Sequence, residues 1–538
     1  MRTSFFGINV AVRGLYTAQR NLDVINHNIN NVNTPGYSRQ QTIQVASKPM
    51  PLYDGTGMVG TGSDVIAIER IRDEYLDFKY WSESSAFAEW NTKKTALADM
   101  EAMFNEPSDS GFNVILDEFF NSLQELAKDP GSQAVRTLVR ETGVMVAKYF
   151  NSLAVHFEEL QNDLNYQIDT KVTEANSLGL QIQQLNRQIY RAELDGNTAN
   201  DLRDHRTLLI DKLSQIINID ANEVVVGKLP DGRDDKHMVI TMSGKAFIDH
   251  YEFSRLAVRQ RDEKLNEEDI ENLFIVGWED GNRLDIRGGE LKGLLDVRDG
   301  NEGKNGSPVY KGIPFYIGKL DQFVRTFAMA FNEGFIDNNT NGIIEEEEVG
   351  MGHVNGYGIA RNEDDVYTGI RFFTMVAEGR KPISSDDFIN GATEIDEITN
   401  AYKKLTAKNF SVSFDIYDDI NKIAASSEPD EIGNIVNLNQ LIKMRHNPHM
   451  FSEGAPEDFM VSIVATMGID SQQAIRISQN QHSIVRQIEN RRLSDSGVSL
   501  DEEMANMVKH QHAYTAAAKM VNTMAEIYDI LVNRVGMR

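Results

Sequence analysis

The chain runs to 538 residues without a cysteine, and its 81 acidic against 54 basic side chains leave a net charge of −27. That balance excludes general affinity for nucleic acid or anionic membrane, both of which need clustered Lys and Arg to displace counterions. No apolar run approaches the ~20 residues that span a bilayer, and the missing thiols remove disulfides, thiolate metal sites and cysteine nucleophiles together.

The first predicted element is a helix from about Phe5 to Asn31. Ile8, Leu15, Leu22 and Ile29 recur every seven residues, interleaved with Val12, Ala18, Ile25 and Val32, which keeps one apolar seam on one side of the helix. Asparagines crowd its end, and Asn26 and Asn30 offer amides that hydrogen-bond across a packed boundary or cap the helix before Pro35. Thr34-Pro35-Gly36 stops it, since proline disfavours helix at the residue before it. Tyr37 to Met50 alternates and leans to strand. The glycine-rich stretch Gly55 to Gly62 lacks a following Gly-Lys-Ser/Thr, so it predicts a bend or short hairpin and no phosphate cradle.

From Val65 to Asn218 the pattern is helical, with Ile66 to Met103 polar around scattered anchors and Phe112 to Ala127 strongly periodic. Ala134 to Leu213 predicts two long bundle helices broken around Asp195-Gly196-Asn197. The texture changes at Ala221: Glu223–Val226, Met238–Met242, Phe247–Ile248, Phe253–Val258 and Leu273–Trp278 are short β-type runs separated by turn signals. Helix returns at Ile317 to Glu333, then come loop-rich sequence to about Ala407, one strand over Phe410–Ile416, and helix again from Pro456 to Arg492. The closing segment carries a second heptad stripe, Leu500, Met507, Tyr514, Val521, Tyr528 and Val535, interleaved with Met504, Gln511, Ala518, Ala525 and Val532.

These elements predict a mainly α fold with a β-rich insert, α+β and multidomain, in nested and discontinuous order. Residues 1–62 and 493–538 form a terminal coiled-coil domain. Residues 63–220 and 408–492 form a long-helix bundle, with helix 315–335 packing on it. Residues 221–314 form a β-rich outer domain, and 336–407 a loop-rich outer segment. Such weakly anchored terminal helices are marginal in water, so they are expected to order against neighbouring copies; a stable coiled coil within one chain is the alternative.

Asn26 to Gln40 closely resembles the N-terminal motif of bacterial flagellar axial proteins, the rod, hook and hook-associated group. Its core, Asn33-Thr34-Pro35-Gly36-Tyr37-Ser38-Arg39-Gln40, is similar to the form found in the hook-associated protein 1 family. Ser496 to Glu503 with Gln511 to Lys519, and the internal blocks Asn200–Arg206, Gly288–Leu295, Ile423–Ser426 and Ala465–Ile469, resemble the same family. The resemblance implies a structural protein, no enzyme and without cofactors, exported unfolded through the flagellar type III apparatus without a cleavable signal peptide. It implies an extracellular ring of about eleven copies joining hook to filament. The implied partners are the hook protein, a second hook-associated junction protein and an export chaperone that takes the C-terminal helix. The missing cysteines suit such a route, although compositional drift gives the same count. On this reading the assembly residues are Ile8, Val12, Leu15, Leu22, Ile25, Asn26, Ile29 and Asn30 with Leu500, Met504, Met507, Gln511, Tyr514, Ala518, Val521, Tyr528 and Val535. The alternatives are another axial subunit, of rod or hook type, and a secreted adhesin-like binding module carried on flagellar-type termini.

One metal pattern stands apart. Asp337, Asn339, Asn341 and Glu348 take positions one, three, five and twelve of a calcium loop with Gly342 at six, but Val349-Gly-Met-Gly352 does not continue as a helix. Turn residues beside an acidic run give the same match. His446 and His449 have no third ligand at metal spacing, and no nucleophile elbow or Walker loop occurs.

Overall fold

The computed structural model describes residues 6–51, 57–104, 111–230, 232–336, 350–360, 366–377 and 381–530. Helix α1 (Phe6–Asn30) ends in the Thr34-Pro35-Gly36 turn, where Gly36 takes φ +77, a conformation that strains residues bearing a Cβ. Strand β1 (Gln40–Ala46) pairs antiparallel with β4 (Ser63–Arg70), and inside that ribbon β2 (Met50–Pro51) pairs with β3 (Met58–Val59). The helix expected from Val65 is corrected here. Ile66 to Arg70 extend as strand because β1 offers a ladder, and helix begins only with α2 (Glu74–Phe104).

Helices α3 (Phe112–Lys128), α4 (Gln133–Leu194) and α5 (Asn200–Ile216) follow, with the break at Asp195-Gly196-Asn197 falling between the last two. α4 is one uninterrupted helix of 62 residues, about 93 Å long at 1.5 Å per residue. Strands β5 (Asp220–Lys228), β6 (Asp234–Met242), β7 (Lys245–Asp249) and β8 (Glu252–Phe253) form an antiparallel sheet in chain order, and β9 (Leu256–Gln260) pairs with β10 (Phe274–Trp278). The range expected to be β-rich also holds a helix, α6 (Glu290–Asp299), whose Leu291, Leu294 and Val297 are buried where it packs on α2 and α4. Its short apolar repeat sits between Gly288-Gly289 and Asp299-Gly300, so the turn signals outweigh it in sequence.

Next come α7 (Ile313–Glu333), β11 (Phe373–Met375), α8 (Ser385–Ile389), α9 (Ile395–Tyr402), β12 (Phe410–Val412), α10 (Phe414–Asp418), α11 (Val436–Lys443), α12 (Pro456–Ser496) and α13 (Leu500–Asp529). The strand expected over Phe410–Ile416 stops at Val412, because Ser413 accepts the Asp415 N–H and caps α10. The loop-rich segment likewise contains α8, α9 and β11.

α4 is the spine. Val139, Phe150, Phe157, Leu164, Ile168, Ala175, Ile182 and Ile189 bury one face along its whole length. Its neighbours change from α3, through α6 and α7, to the strands β7 to β10. Near the first end an aromatic cluster closes the core: Phe150 stacks on Phe323 of α7 at 4.8 Å, and Phe323 on Phe451 at 5.1 Å. Near the other end Gly179 lets the sheet approach, since a Cβ there would lie 2.7 Å from the Phe247 ring. α2 and α12 pair antiparallel, Phe87 against His482 and Tyr80 under Arg492.

Candidate assembly interface

The terminal helices lie antiparallel. A Cβ on Gly7 would meet Met524 Sδ at 3.0 Å, one on Gly14 would meet Ala517 Cβ at 4.0 Å, and Asn28 Nδ2 donates to Glu503 at 3.3 Å. Each step forward along α1 is matched by an equal step back along α13. The seam is made of small and polar side chains: Ala11, Ala18, Asn21, Ile25 and Asn28 are buried on α1, and Glu503 alone is buried on α13. Glycine and alanine bring the backbones close, yet bury little apolar area.

The joint between this pair and the helical body is polar and dense. Ser38 donates its backbone N–H and its hydroxyl to Asp204, at 2.7 and 2.8 Å, and Arg70 donates to the same carboxylate at 2.9 Å. Arg39 pairs with Glu503 at 2.7 Å and bidentately with Glu502 at 3.0 Å, while its N–H donates to Ser496 O, tying the motif to the start of α13 and the end of α12. Asn28 closes the turn by accepting from Gln40 N and Tyr37 Oη and donating to Gln40 O. Gln40 Nε2 reaches Asp201 at 2.7 Å. Burial, then Asp201 and Asp204, push the Tyr37 hydroxyl upward, so it stays a protonated donor.

Beneath lies a second layer. Arg72 joins Ser38 to Asp77, and Arg492 of α12 pairs with both Asp77 and Asp211. Burial raises Asp211 above the usual carboxylate range despite the opposing charges of Arg492 and Arg72. On the first turns of α5, Asn200 and Asp204 face the motif, while Arg203 and Arg206 point to Glu223 of the sheet. Residues three and four apart share a helix face, so one short block serves two neighbours.

Family models match along the chain: a flagella basal body rod protein model over residues 8–37, the flagellar hook-associated protein FlgK helical domain over 97–336, and the flagellar basal body rod FlgEFG protein C-terminal model over 489–534. Flagellar hook-associated protein 1 of Bacillus subtilis (strain 168) is 29% identical over 567 residues, covering 100% of this chain and 99% of that protein. The Escherichia coli (strain K12) protein of the same name is 24% identical, covering 98% of this chain and 99% of its own. Along its whole length the chain is similar to flagellar hook-associated protein 1. A solved structure of the hook junction protein FlgK from Burkholderia pseudomallei shares the fold, with a TM-score of 0.52 at 14% identity over 79% of this chain and 100% of that one. As a hook-associated protein the chain is a structural, axial component of the bacterial flagellum that serves motility.

Against that family background the expected assembly residues divide. On α1, Ile25 is buried, Ile8, Val12, Leu15, Leu22 and Ile29 are half-buried, and Asn26 and Asn30 are exposed. On α13, Leu500, Met504, Gln511 and Tyr514 are exposed, while Met507, Ala518, Val521 and Tyr528 are half-buried. Val535 lies outside the described residues, as do Asp337, Asn339, Asn341 and Glu348 of the calcium pattern. The heptad stripe of α1 is therefore offset by about one position from its buried seam. Periodicity followed side-chain size, and the close contact followed the smallest residues. Asn33, Thr34, Pro35 and Gly36 are exposed, beside a groove of 660 Å³ bordered by Leu208, Arg492 and Leu493. Tyr37 to Gln40 form the joint. Sequence reasoning missed Asp204, Asp201, Glu502 and Glu503. Their signal was the acidic first turn of α13 and the carboxylates of the Asn200–Arg206 block, each needing a basic or N–H partner once buried. His446 and His449 are both exposed, and among the described residues no group of three His, Cys, Asp or Glu is placed to hold a metal ion.

Proposed function

We propose that the chain joins the flagellar hook to the filament, as a ring of about eleven copies assembled through the terminal helices. The observation that carries this reading is the surface of α13. Of its 30 residues one is buried, and Leu500, Met504 and Val508 stand 47, 53 and 50% exposed. An apolar stripe turned outward on a helix calls for another surface to bury it. The half-buried α1 stripe of a neighbouring copy, Ile8, Val12, Leu15, Leu22 and Ile29, supplies that surface, with Asn26 and Asn30 setting the register.

In this reading residues 1–62 and 493–538 line the inner layer, and the helical body and sheets sit at larger radius. The chain is exported unfolded, with the C-terminal helix held by a chaperone until neighbours replace it. The hook protein and a second hook-associated protein are its axial neighbours. Electron micrographs of cells lacking the chain test this: hooks without filaments are expected, and filaments on intact hooks would sink it. A triple variant, L500Q/M504Q/V508Q, should be secreted yet stay out of the structure. The rod-type models that match both chain ends favour one other reading, a rod or hook subunit, which predicts loss of the hook itself.

A further inference from the structure

The hairpin that joins β7 to β8 carries a histidine where turn chemistry asks for something else. His250 occupies the first of two turn positions at φ +48, a place usually taken by Asn or Gly. It is 4% exposed, and both imidazole nitrogens are buried without a hydrogen-bond partner among the described residues. Its ring stacks on His237 of β6, with centroids 3.7 Å apart and planes 7° from parallel, and meets Tyr190 of α4 edge-on at 5.9 Å. Every hydrogen bond from α4 to the turn goes to its backbone: Asn186 donates to His250 O at 3.0 Å, and Gln183 and Arg187 donate to Tyr251 O.

We propose that His250, stacked on His237, is a proton-operated latch that holds the four-stranded sheet on α4 while its ring is neutral and releases it when acid charges that ring. The groups facing His250 set the direction. Arg206 of α5 and His237 of β6 oppose a positive charge, Asp235 and Asp249 favour it, and Tyr190, Arg187 and Tyr251 give it no anionic partner. Burial, then His237 and Arg206, hold the imidazole down at about 4, so the neutral ring belongs to the folded state. The sign follows. In the detached turn His250 binds its proton near the ordinary 6.5, so docking is firm above that pH and weakens as pH falls toward about 4. A single proton gives at most a tenfold change per pH unit. The strain and the two unmet hydrogen-bonding groups are what a held, dischargeable position looks like.

Hydrogen–deuterium exchange on the full chain tests this, with each protection factor corrected for intrinsic exchange at its pH. From pH 7 to 4.5 the peptides spanning residues 234–253 should lose protection at least tenfold, while those of α2 and α12 keep theirs. H250N, which accepts the same backbone conformation, should hold its protection across that range. Were H250N not to fold, H237N should reduce the acid response by removing the stacked neighbour. Uniform loss across the molecule, or the same fall in either folded variant, would overturn the latch. So would Zn²⁺ raising protection of the native turn at pH 7, which would make the pair a metal site.

Discussion

The helical body and the terminal pair use the same element, a long helix, in opposite ways. α4 buries large side chains along its length: Phe150 and Phe157 are fully enclosed, and every stretch of its apolar face has a neighbour in the same chain. α1 and α13 meet over glycine, alanine and asparagine, and leave Leu500, Met504, Val508, Met520 and Ile527 facing outward. Burial of a large apolar side chain stabilises by roughly 1.5–3 kcal/mol, so the body is self-sufficient where the pair is half of something. Between them lies a joint with little grease, held by Asp204, Arg39 and Glu503. The lesson is that helix length and periodicity describe an element, while the size of the buried side chains tells whether its core is complete.

That contrast can be broken most severely at the body. Phe150→Ala should cost about 3–5 kcal/mol in denaturant unfolding of the free chain, by lost transfer energy plus cavity. The outward Met504→Gln should change the same measurement by less than about 0.5 kcal/mol. Comparable costs at both sites would refute the division. The joint comes next. Asp204→Ala leaves Arg70 and the Ser38 N–H buried without their acceptor, and about 3 kcal/mol should be lost. Asp204→Asn keeps an acceptor and should lose less; equal losses would show that packing and not charge holds the joint.

Acid sharpens the comparison. His353 in the body donates its Nδ1–H to Ile370 O and receives the Ala424 N–H on Nε2, and burial holds it down at about 4. The neutral ring is the folded form, so its contribution is complete above pH 6.5 and is lost as pH falls toward 4. Asp321 works the other way: burial pushes it up to about 6, so its penalty grows as pH rises from 3.8 to that value. Asp321→Asn, which keeps the acceptor for Ala407 N, should therefore raise the melting temperature at pH 7 and lose that advantage below pH 4. A gain that persists at pH 3 would rule out ionisation as its source. The smallest effect is expected from Asn26→Ala with Asn30→Ala. Both residues are exposed, so the free chain should melt unchanged while incorporation into the flagellum falls, by about 0.5–1.5 kcal/mol per lost bond between copies. A shifted melting temperature would place them in the chain's own fold.

Much of this was legible beforehand. The order helix, β insert, helix came from apolar spacing and turn residues, as did the break near Gly196 and the stop at Pro35. Ile66 to Arg70 and Phe410 to Ile416 were not legible, because short alternating runs take the form their partner allows: β1 pulled the first into a ladder, and Ser413 capped the second into helix. α6 was hidden by the glycines around it. The motif Asn33–Gln40 was visible as a pattern, but its division into an exposed half and a bonded half was not.

What the sequence determined by itself is each segment's preferred period and the places where the backbone must turn, since both depend on residues within a few positions of one another. Only the tertiary structure decided which side chains the two ends bury, because that depends on how closely the backbones approach. Gly7, Gly14, Ala11 and Ala18 permit an approach that the larger Ile8, Leu15 and Leu22 beside them do not, and so the greasier stripe was left for another surface to cover.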